Sequence, residues 1–333
     1  MDKVVVTLLI LSFIVSLAVT VIVGRFLIPA LRRLKAGQSI REDGPVWHNK
    51  KQGTPTMGGL MFIAGITVAC LTVGIGQMIE GRFGHISVLM FALVFAAIGM
   101  FDDYVKLRKK QNLGLRAWHK FTLQLLVAVG FVIVMNIRGN LTTSLYIPFL
   151  NEAFIIPAPI LYIFAAFVIV GTVNSVNITD GADGLVTGVT IPVAVSILAL
   201  AFYWGHYTVG IFSAALLGGL IAFLIFNFYP AKVFMGDTGS LFLGGAVCAL
   251  AFAMDIPLVL IILGFVYFVE AMSDIIQVTY FKLTKGKRVF KMAPIHHHFE
   301  MVGWSEYKLF AIFSTVSAVF AVIAYFGVYQ RHG

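Results

Sequence analysis

Three short polar stretches interrupt an otherwise apolar chain: Phe101-Asp102-Asp103-Tyr104, residues 174–184 (Asn-Ser-Val-Asn-Ile-Thr-Asp-Gly-Ala-Asp-Gly) and Met235-Gly236-Asp237-Thr238-Gly239-Ser240. The second and third have no basic residue beside them except Lys232, so Asp180, Asp183 and Asp237 lack a local counter-charge. Carboxylates without cysteine suit a hard, oxygen-seeking cation. Mg²⁺ is held by one or two carboxylates while substrate phosphates supply further ligands. Asp102 and Asp103 are neighbours, so on a helix they point about 100° apart and can serve different groups. Asp180 and Asp183, three apart, can share a face if that segment is helical. The competing use of these acids is helix capping, which suits Asp183 and Asp237 because each precedes an apolar run.

Other polar motifs fit a phosphorylated substrate. Lys50-Lys51-Gln52-Gly53-Thr54-Pro55-Thr56-Met57-Gly58-Gly59 combines cations, hydroxyls and exposed backbone N–H groups, the ingredients of a phosphate-side loop. It lacks P-loop spacing, and a charged membrane anchor followed by a turn explains it equally well. Pro294-Ile295-His296-His297-His298-Phe299-Glu300 places three imidazoles in a row. Zinc sites need spaced ligands, so hydrogen bonds to a phosphate are the better use. Glu270, Ser273, Asp274 and Gln277 form one polar stripe at helical spacing. Gln277 lies at its inner end, and Glu270 reads as a structural acid. Phe234 stands out beside Gly236-Asp237. Isolated His48, His85, His119 and His206 read as interfacial, and Cys70 and Cys248 sit in apolar runs with no disulfide or CxxC pattern.

The elements that position these motifs must cross a bilayer. Of 333 residues, 59% are hydrophobic and 12% charged, about half the charged share of a soluble globule. The mean hydropathy of +0.94 also excludes long disorder. A span needs about 20 apolar residues, and about ten segments qualify: 4–30, 57–77, 86–101, 121–137, 159–177, 184–203, 207–226, 240–254, 257–281 and 307–328. None alternates as a membrane-barrel strand would. The first is read as a retained span rather than a cleaved leader. The expectation is one all-α domain over residues 1–333, a polytopic integral membrane protein with its active site on the cytoplasmic face.

Net charge is +9, and its distribution sets orientation. Arg32, Arg33, Lys35, Arg41, Lys50 and Lys51 follow the first span. Lys106, Arg108, Lys109, Lys110, Arg116 and Lys120 follow the third, and Lys282, Lys285, Lys287, Arg288, Lys291 and Lys308 follow the ninth. The even connections and tails carry Lys3, Arg82, Arg138 and Arg331. Basic loops face the cytoplasm, so both termini are expected outside and every acid motif inside. The same charge attracts anionic lipid or a phosphorylated substrate.

In these motifs the chain resembles the polyprenyl-phosphate N-acetylhexosamine-1-phosphate transferases. Within that superfamily, residues 53–59 and 293–300 followed by Gly303-Trp304 resemble the phospho-N-acetylmuramoyl-pentapeptide transferase family. Ala182 departs from the leucine more usual there. The resemblance implies ten transmembrane helices, a homodimer in the bacterial plasma membrane, and Mg²⁺. It implies transfer of phospho-N-acetylmuramoyl-pentapeptide from UDP to undecaprenyl phosphate, releasing UMP and forming lipid I for peptidoglycan. It further implies Mg²⁺ on Asp237, and Asp102 and Asp103 at the lipid-phosphate side. The uridine and diphosphate pocket would comprise Asn177, Asp180, Asn227, Phe234 and Gly236 with Lys51, Thr56 and Gln277. His296 and His297 would complete the substrate site and Asp183 would support it.

A phosphate monoester is largely dianionic at pH 7, so direct in-line attack by the lipid phosphate needs no strong base, with Asp103 as acceptor of any residual proton. A covalent aspartyl intermediate is the rival scheme. A UDP-GlcNAc-type transferase is the alternative within the superfamily, separated by the triple-histidine region. A secondary transporter is the alternative outside it, but its repeated halves and midplane acids are missing from this sequence, and a structural or channel subunit leaves the clustered acids without a use.

Overall fold

The computed structural model describes residues 2–34, 51, 53–109, 114–137 and 142–332. Lys35, Arg41, His48, Lys50, Gln52, Lys110 and Arg138 lie outside them. The described chain is helical apart from one hairpin. All ten apolar segments are helical, but they are not ten equal spans. Eight helices are long and apolar enough to cross a membrane, or nine if one bent pair counts as a single span.

The helices are α1 Asp2–Arg33, α2 Gly59–Thr72, α3 Ile75–Ile79, α4 Gly84–Lys109, α5 Ala117–Ile137, α6 Ala158–Thr179, α7 Leu185–Tyr203, α8 Tyr207–Asn227, α9 Gly236–Ala253, α10 Leu260–Leu263, α11 Phe265–Leu283, α12 Ile295–Met301 and α13 Glu306–Val328. Strands β1 Ser144–Ile147 and β2 Glu152–Ile155 pair antiparallel between α5 and α6.

Two expected spans are corrected. Segment 57–77 is the 14-residue α2, followed by the short α3, and at 1.5 Å per residue α2 rises only about 21 Å. Gly74 separates them, where a Cβ would lie 2.3 Å from the His85 ring. Segment 257–281 is broken at Gly264, where the two halves meet at 79°. Hydropathy averages side chains and does not register a backbone turn inside an apolar run. The triple histidine, which follows the ninth apolar segment and the basic residues within 282–291, lies on the short helix α12.

The helix carrying Asp237 is the most enclosed. The apolar window of α9 is 83% buried, against 22% for α1 and α5. Helices in lipid approach closely where residues are small, and α9 meets two neighbours this way. A Cβ at Gly59 would stand 2.3 Å from Gly239 Cα, and one at Gly99 would stand 2.0 Å from the Asp237 carbonyl oxygen. Gly99 therefore sets how near α4, with Asp102 and Asp103, comes to Asp237.

Gly99→Ala should force α4 from α9 at an overpacking cost of about 1–3 kcal/mol. The expected outcome is a lower melting midpoint in detergent, read by scanning fluorimetry; an unchanged midpoint would show that the close approach does not hold the pair.

Candidate active site

Asp102 and Asp103 come from the end of α4, and Asp237 from the first turn of α9. One carboxylate oxygen from each can be chosen so that all three lie within 4.8 Å of one another. Asp103 builds this arrangement. Its Oδ1 accepts the Asp237 N–H at 3.2 Å, and its Oδ2 accepts the Thr238 N–H at 2.9 Å and the Thr238 hydroxyl at 2.7 Å. Asp103 thus caps α9 from a neighbouring helix, satisfying donors that a helix start leaves open. Capping by Asp237 and Asp183 of their own helices is not what the structure shows: the N-cap positions of α9 and α7 are Met235 and Gly184, and neither makes a side-chain cap bond.

Gly236 turns the chain at φ +73°, a conformation glycine adopts freely. A Cβ there would stand 2.7 Å from both Asp103 Oδ2 and Thr56 Oγ1, so Gly236 and buried Thr56 border the same point. Asn177, on α6, donates to Asp237 Oδ1 at 3.1 Å and to Ser240 Oγ at 2.7 Å.

Two lysines complete the cluster. Lys106 Nζ lies 2.7 Å from Asp102 Oδ2 and 3.1 Å from Asp237 Oδ2. Lys120 Nζ lies 2.7 Å from Asp237 Oδ2 and donates to Asn177 Oδ1 at 3.2 Å. The sequence offers both only as part of the basic inner-face charge, not as individual site residues. The i,i+4 spacing of Asp102 and Lys106 was a usable signal; Lys120 stands on another helix and offered none.

Asp180 follows α6 directly. Burial, then the negative charges of Asp237 and Asp103, push its carboxyl well above the ordinary carboxylate range. Asp183 belongs to a second cluster. Lys51 Nζ lies 2.8 Å from both Asp183 Oδ1 and Glu306 Oε2, while Asp183 Oδ2 accepts the Ala231 N–H at 2.8 Å. Burial opposes the charge on Lys51, but the two acids outweigh it and raise its pKa. Glu306, at the start of α13, was missed in the sequence because nothing local links it to Lys51. The backbone joins these loops too: Phe234 N–H donates to the Pro55 carbonyl and Gly58 N–H to the Phe234 carbonyl, each at 2.8 Å.

The remaining expected residues make bonds within the protein. Asn227 accepts from the Thr187 hydroxyl and donates to the Val233 carbonyl, both at 3.1 Å. Gln277 binds the backbone of Val289 and Phe290 through three bonds of 3.0 Å. His296 is buried, its Nδ1 2.8 Å from Glu270 Oε2 and its ring where a Gly181 side chain would be. Burial alone would lower the His296 pKa, but Glu270 keeps it raised. Glu270 is a structural acid, as expected, with His296 as its partner. His297 Nδ1 lies 2.7 Å from Glu300 Oε2, and His298 Nδ1 accepts the Lys291 N–H at 3.1 Å. The three imidazoles therefore engage three different partners.

A membrane-embedded helical bundle with an all-oxygen acid trio and paired lysines at one end defines a class, and sequence comparison identifies it. The pattern of glycosyl transferase family 4 matches residues 85–255, and signature 1 of phospho-N-acetylmuramoyl-pentapeptide transferase matches residues 51–63, the stretch that holds Lys51 and Thr56. Proteins named phospho-N-acetylmuramoyl-pentapeptide-transferase are 47% identical in Clostridium botulinum strain Alaska E43, over 94% of each chain. Those of Clostridium acetobutylicum and Heliobacterium modesticaldum are each 46% identical, over 95% and 94% of this chain and 98% and 95% of theirs. The chain belongs to the phospho-N-acetylmuramoyl-pentapeptide transferase family, a family of glycosyl-1-phosphate transferases.

Asp103→Asn should destabilise the fold more than Asp102→Asn, because Asp103 holds three donors of α9 whereas Asp102 accepts one backbone N–H, from Leu115. Loss of such a cap costs about 1 kcal/mol. Melting curves of the two variants in one detergent check the order, and equal midpoints would remove the capping role.

Proposed function

We propose that this protein transfers phospho-N-acetylmuramoyl-pentapeptide from its UDP carrier to undecaprenyl phosphate. A lipid-phosphate oxygen attacks the phosphorus nearest the sugar, the bridging P–O bond to UMP breaks, and lipid I and UMP result. The observation that carries this reading is the meeting of Asp102, Asp103 and Asp237 within 4.8 Å at one end of an apolar bundle.

The donor set fits Mg²⁺. It is all oxygen, and Asp237 reaches it from a helix start; Asp237 would hold the ion, with Asp102 beside it. When bound, Mg²⁺ would neutralise the pyrophosphate and the charge developing on UMP. The chain's own residues supply the rest. Lys106 and Lys120 place two positive charges where phosphates gather, and Asn177 orients Asp237. Asp103 is occupied with α9, so Asp102 is the acid available to the lipid phosphate. Because that phosphate is already largely dianionic, attack proceeds directly and without an aspartyl intermediate.

Asp180, Gly236, Phe234 and Thr56 form the nucleotide side with Lys51, supported by Asp183, Asn227, Gln277, His296 and His297. The site end carries Arg32, Arg33, Lys106, Arg108, Lys109 and Lys282 in helix last turns, which supports a cytoplasmic site in the bacterial plasma membrane. α1 begins, and α13 ends, at the opposite face, which supports both termini outside. A homodimer belongs to the same reading.

Purified protein given Mg²⁺, undecaprenyl phosphate and UDP-N-acetylmuramoyl-pentapeptide should release UMP and form lipid I; turnover of UDP-GlcNAc alone would overturn the assignment. EDTA should stop the reaction. Asp237→Asn should lower kcat by at least about 100-fold, since removing the ion forfeits several kcal/mol of charge stabilisation, while leaving the protein folded. Omitting the lipid phosphate should yield neither UMP nor a phospho-enzyme, and a trapped aspartyl adduct would establish the covalent route instead. Lys51→Ala should raise KM for the nucleotide sugar more than it lowers kcat; an unchanged KM would leave Lys51 with a topological role only.

A further inference from the structure

The hairpin takes no part in the chemistry above. α5 leaves the acid cluster near Lys120 and α6 returns to it at Asn177, so the turn between them lies at the opposite end of the bundle. Ile155 stands three positions before Ala158, the first residue of a span.

β1 is bound to the helical body. Leu145 and Tyr146 are buried, the Thr142 hydroxyl donates to Asp255 Oδ2 at 2.7 Å, and Asp255 pairs with Arg331. The Arg331 guanidinium in turn lies 5.3 Å from the centre of the Tyr146 ring. The tip is fixed as well, since the Phe149 N–H donates to the Gly327 carbonyl at 2.7 Å.

β2 is different: it pairs with β1 through its backbone, yet all four of its side chains are exposed. Neighbouring residues of a strand point to opposite faces, and both Phe154 and Ile155 are uncovered, at 43% and 81%. Leu150 at the tip is 63% exposed. Large apolar groups on both faces of a rigidly held strand are unsuited to water. They continue in sequence into Ile160, Ile163 and Phe167, exposed at helical spacing on the lipid side of α6.

Depth follows from two constraints. A two-stranded sheet has edge N–H and C=O groups that hydrocarbon cannot satisfy, so its backbone must stay at headgroup level. The same end of the bundle carries Tyr203, Trp204, Tyr325 and Tyr329, with Trp204 Nε1 donating to the Tyr329 carbonyl at 3.1 Å. Tyrosine and tryptophan gather at the membrane–water interface.

We propose that β2 and the hairpin tip are a membrane-interface anchor, with the backbone among lipid headgroups and Leu150, Phe154 and Ile155 reaching the acyl chains. That the leaflet is the outer one rests on the orientation proposed above; the insertion itself does not. Cys70 and Cys248 are buried, so a nitroxide can be attached to single cysteines in the full chain, with the unsubstituted protein as the labelling control.

Leu150→Cys, Glu152→Cys and Ile155→Cys, labelled and reconstituted in phosphatidylethanolamine and phosphatidylglycerol vesicles, are read by electron paramagnetic resonance with O₂ and a water-soluble nickel chelate. Labels at 150 and 155 should collide several-fold more with O₂, and the label at 152 with nickel. More nickel than O₂ contact at 150 and 155 would place the strand in water and overturn the proposal. Shielding from both agents with spin–spin broadening would also overturn it, in favour of a contact with a second copy. Neither readout depends on turnover.

Discussion

The site depends on one carboxylate that crosses from helix to helix. Asp103 leaves α4 and takes the open N–H groups at the start of α9. Without it, a helix start deep in the bundle would hold unsatisfied donors far from bulk water, and Asp237 would lose its fixed distance from Asp102. The contact is permitted by Gly99, whose missing side chain lets α4 lie against the Asp237 carbonyl. Negative charge at a helix start is also favourable in itself, because the backbone dipoles there present positive ends. Three acids in close company are tolerable because Lys106 and Lys120 stand among them. The cluster is therefore a framework joint in which acids and lysines are held together at one end of the bundle.

Much of this was legible in the sequence where the governing physics is local. Apolar runs marked the long helices of the bundle, and polar stretches interrupting them marked Asp102, Asp103, Asp180, Asp183 and Asp237, the last three without a neighbouring base. What failed to show were properties set by the backbone or by distant partners. The bend at Gly264 and the shortness of α2 lie inside runs whose hydropathy is uniform. The hairpin strands, four residues each, are too short for their alternation to register.

The same distinction separates the site residues. Lys106 carried an unused local signal, its helical spacing to Asp102, while Lys120 and Glu306 reach their partners across 117 and 255 positions of chain respectively. Gln277 stood out in a polar stripe at helical spacing, whereas Asn227 entered only through the family resemblance. Their bonds run to backbone groups and other protein side chains. Those bonds tie Asn227 to Thr187 and Val233, and Gln277 to Val289 and Phe290.

The burial of α9 has a consequence for how the enzyme meets different membranes. The acid cluster is mounted on the innermost helix and on α4, in backbone contact through glycines, while α1 and α5 form the poorly buried periphery. Stretching or thinning of the bilayer acts first on lipid-facing spans, which tilt or flex at a cost of fractions of a kcal/mol per ångström. α9 has little lipid surface on which such forces can pull, and α4, half buried, has less than the peripheral spans. The geometry of the acid cluster is thus mechanically insulated on its α9 side, and changes in acyl-chain length should alter the outer helices before they alter the cluster.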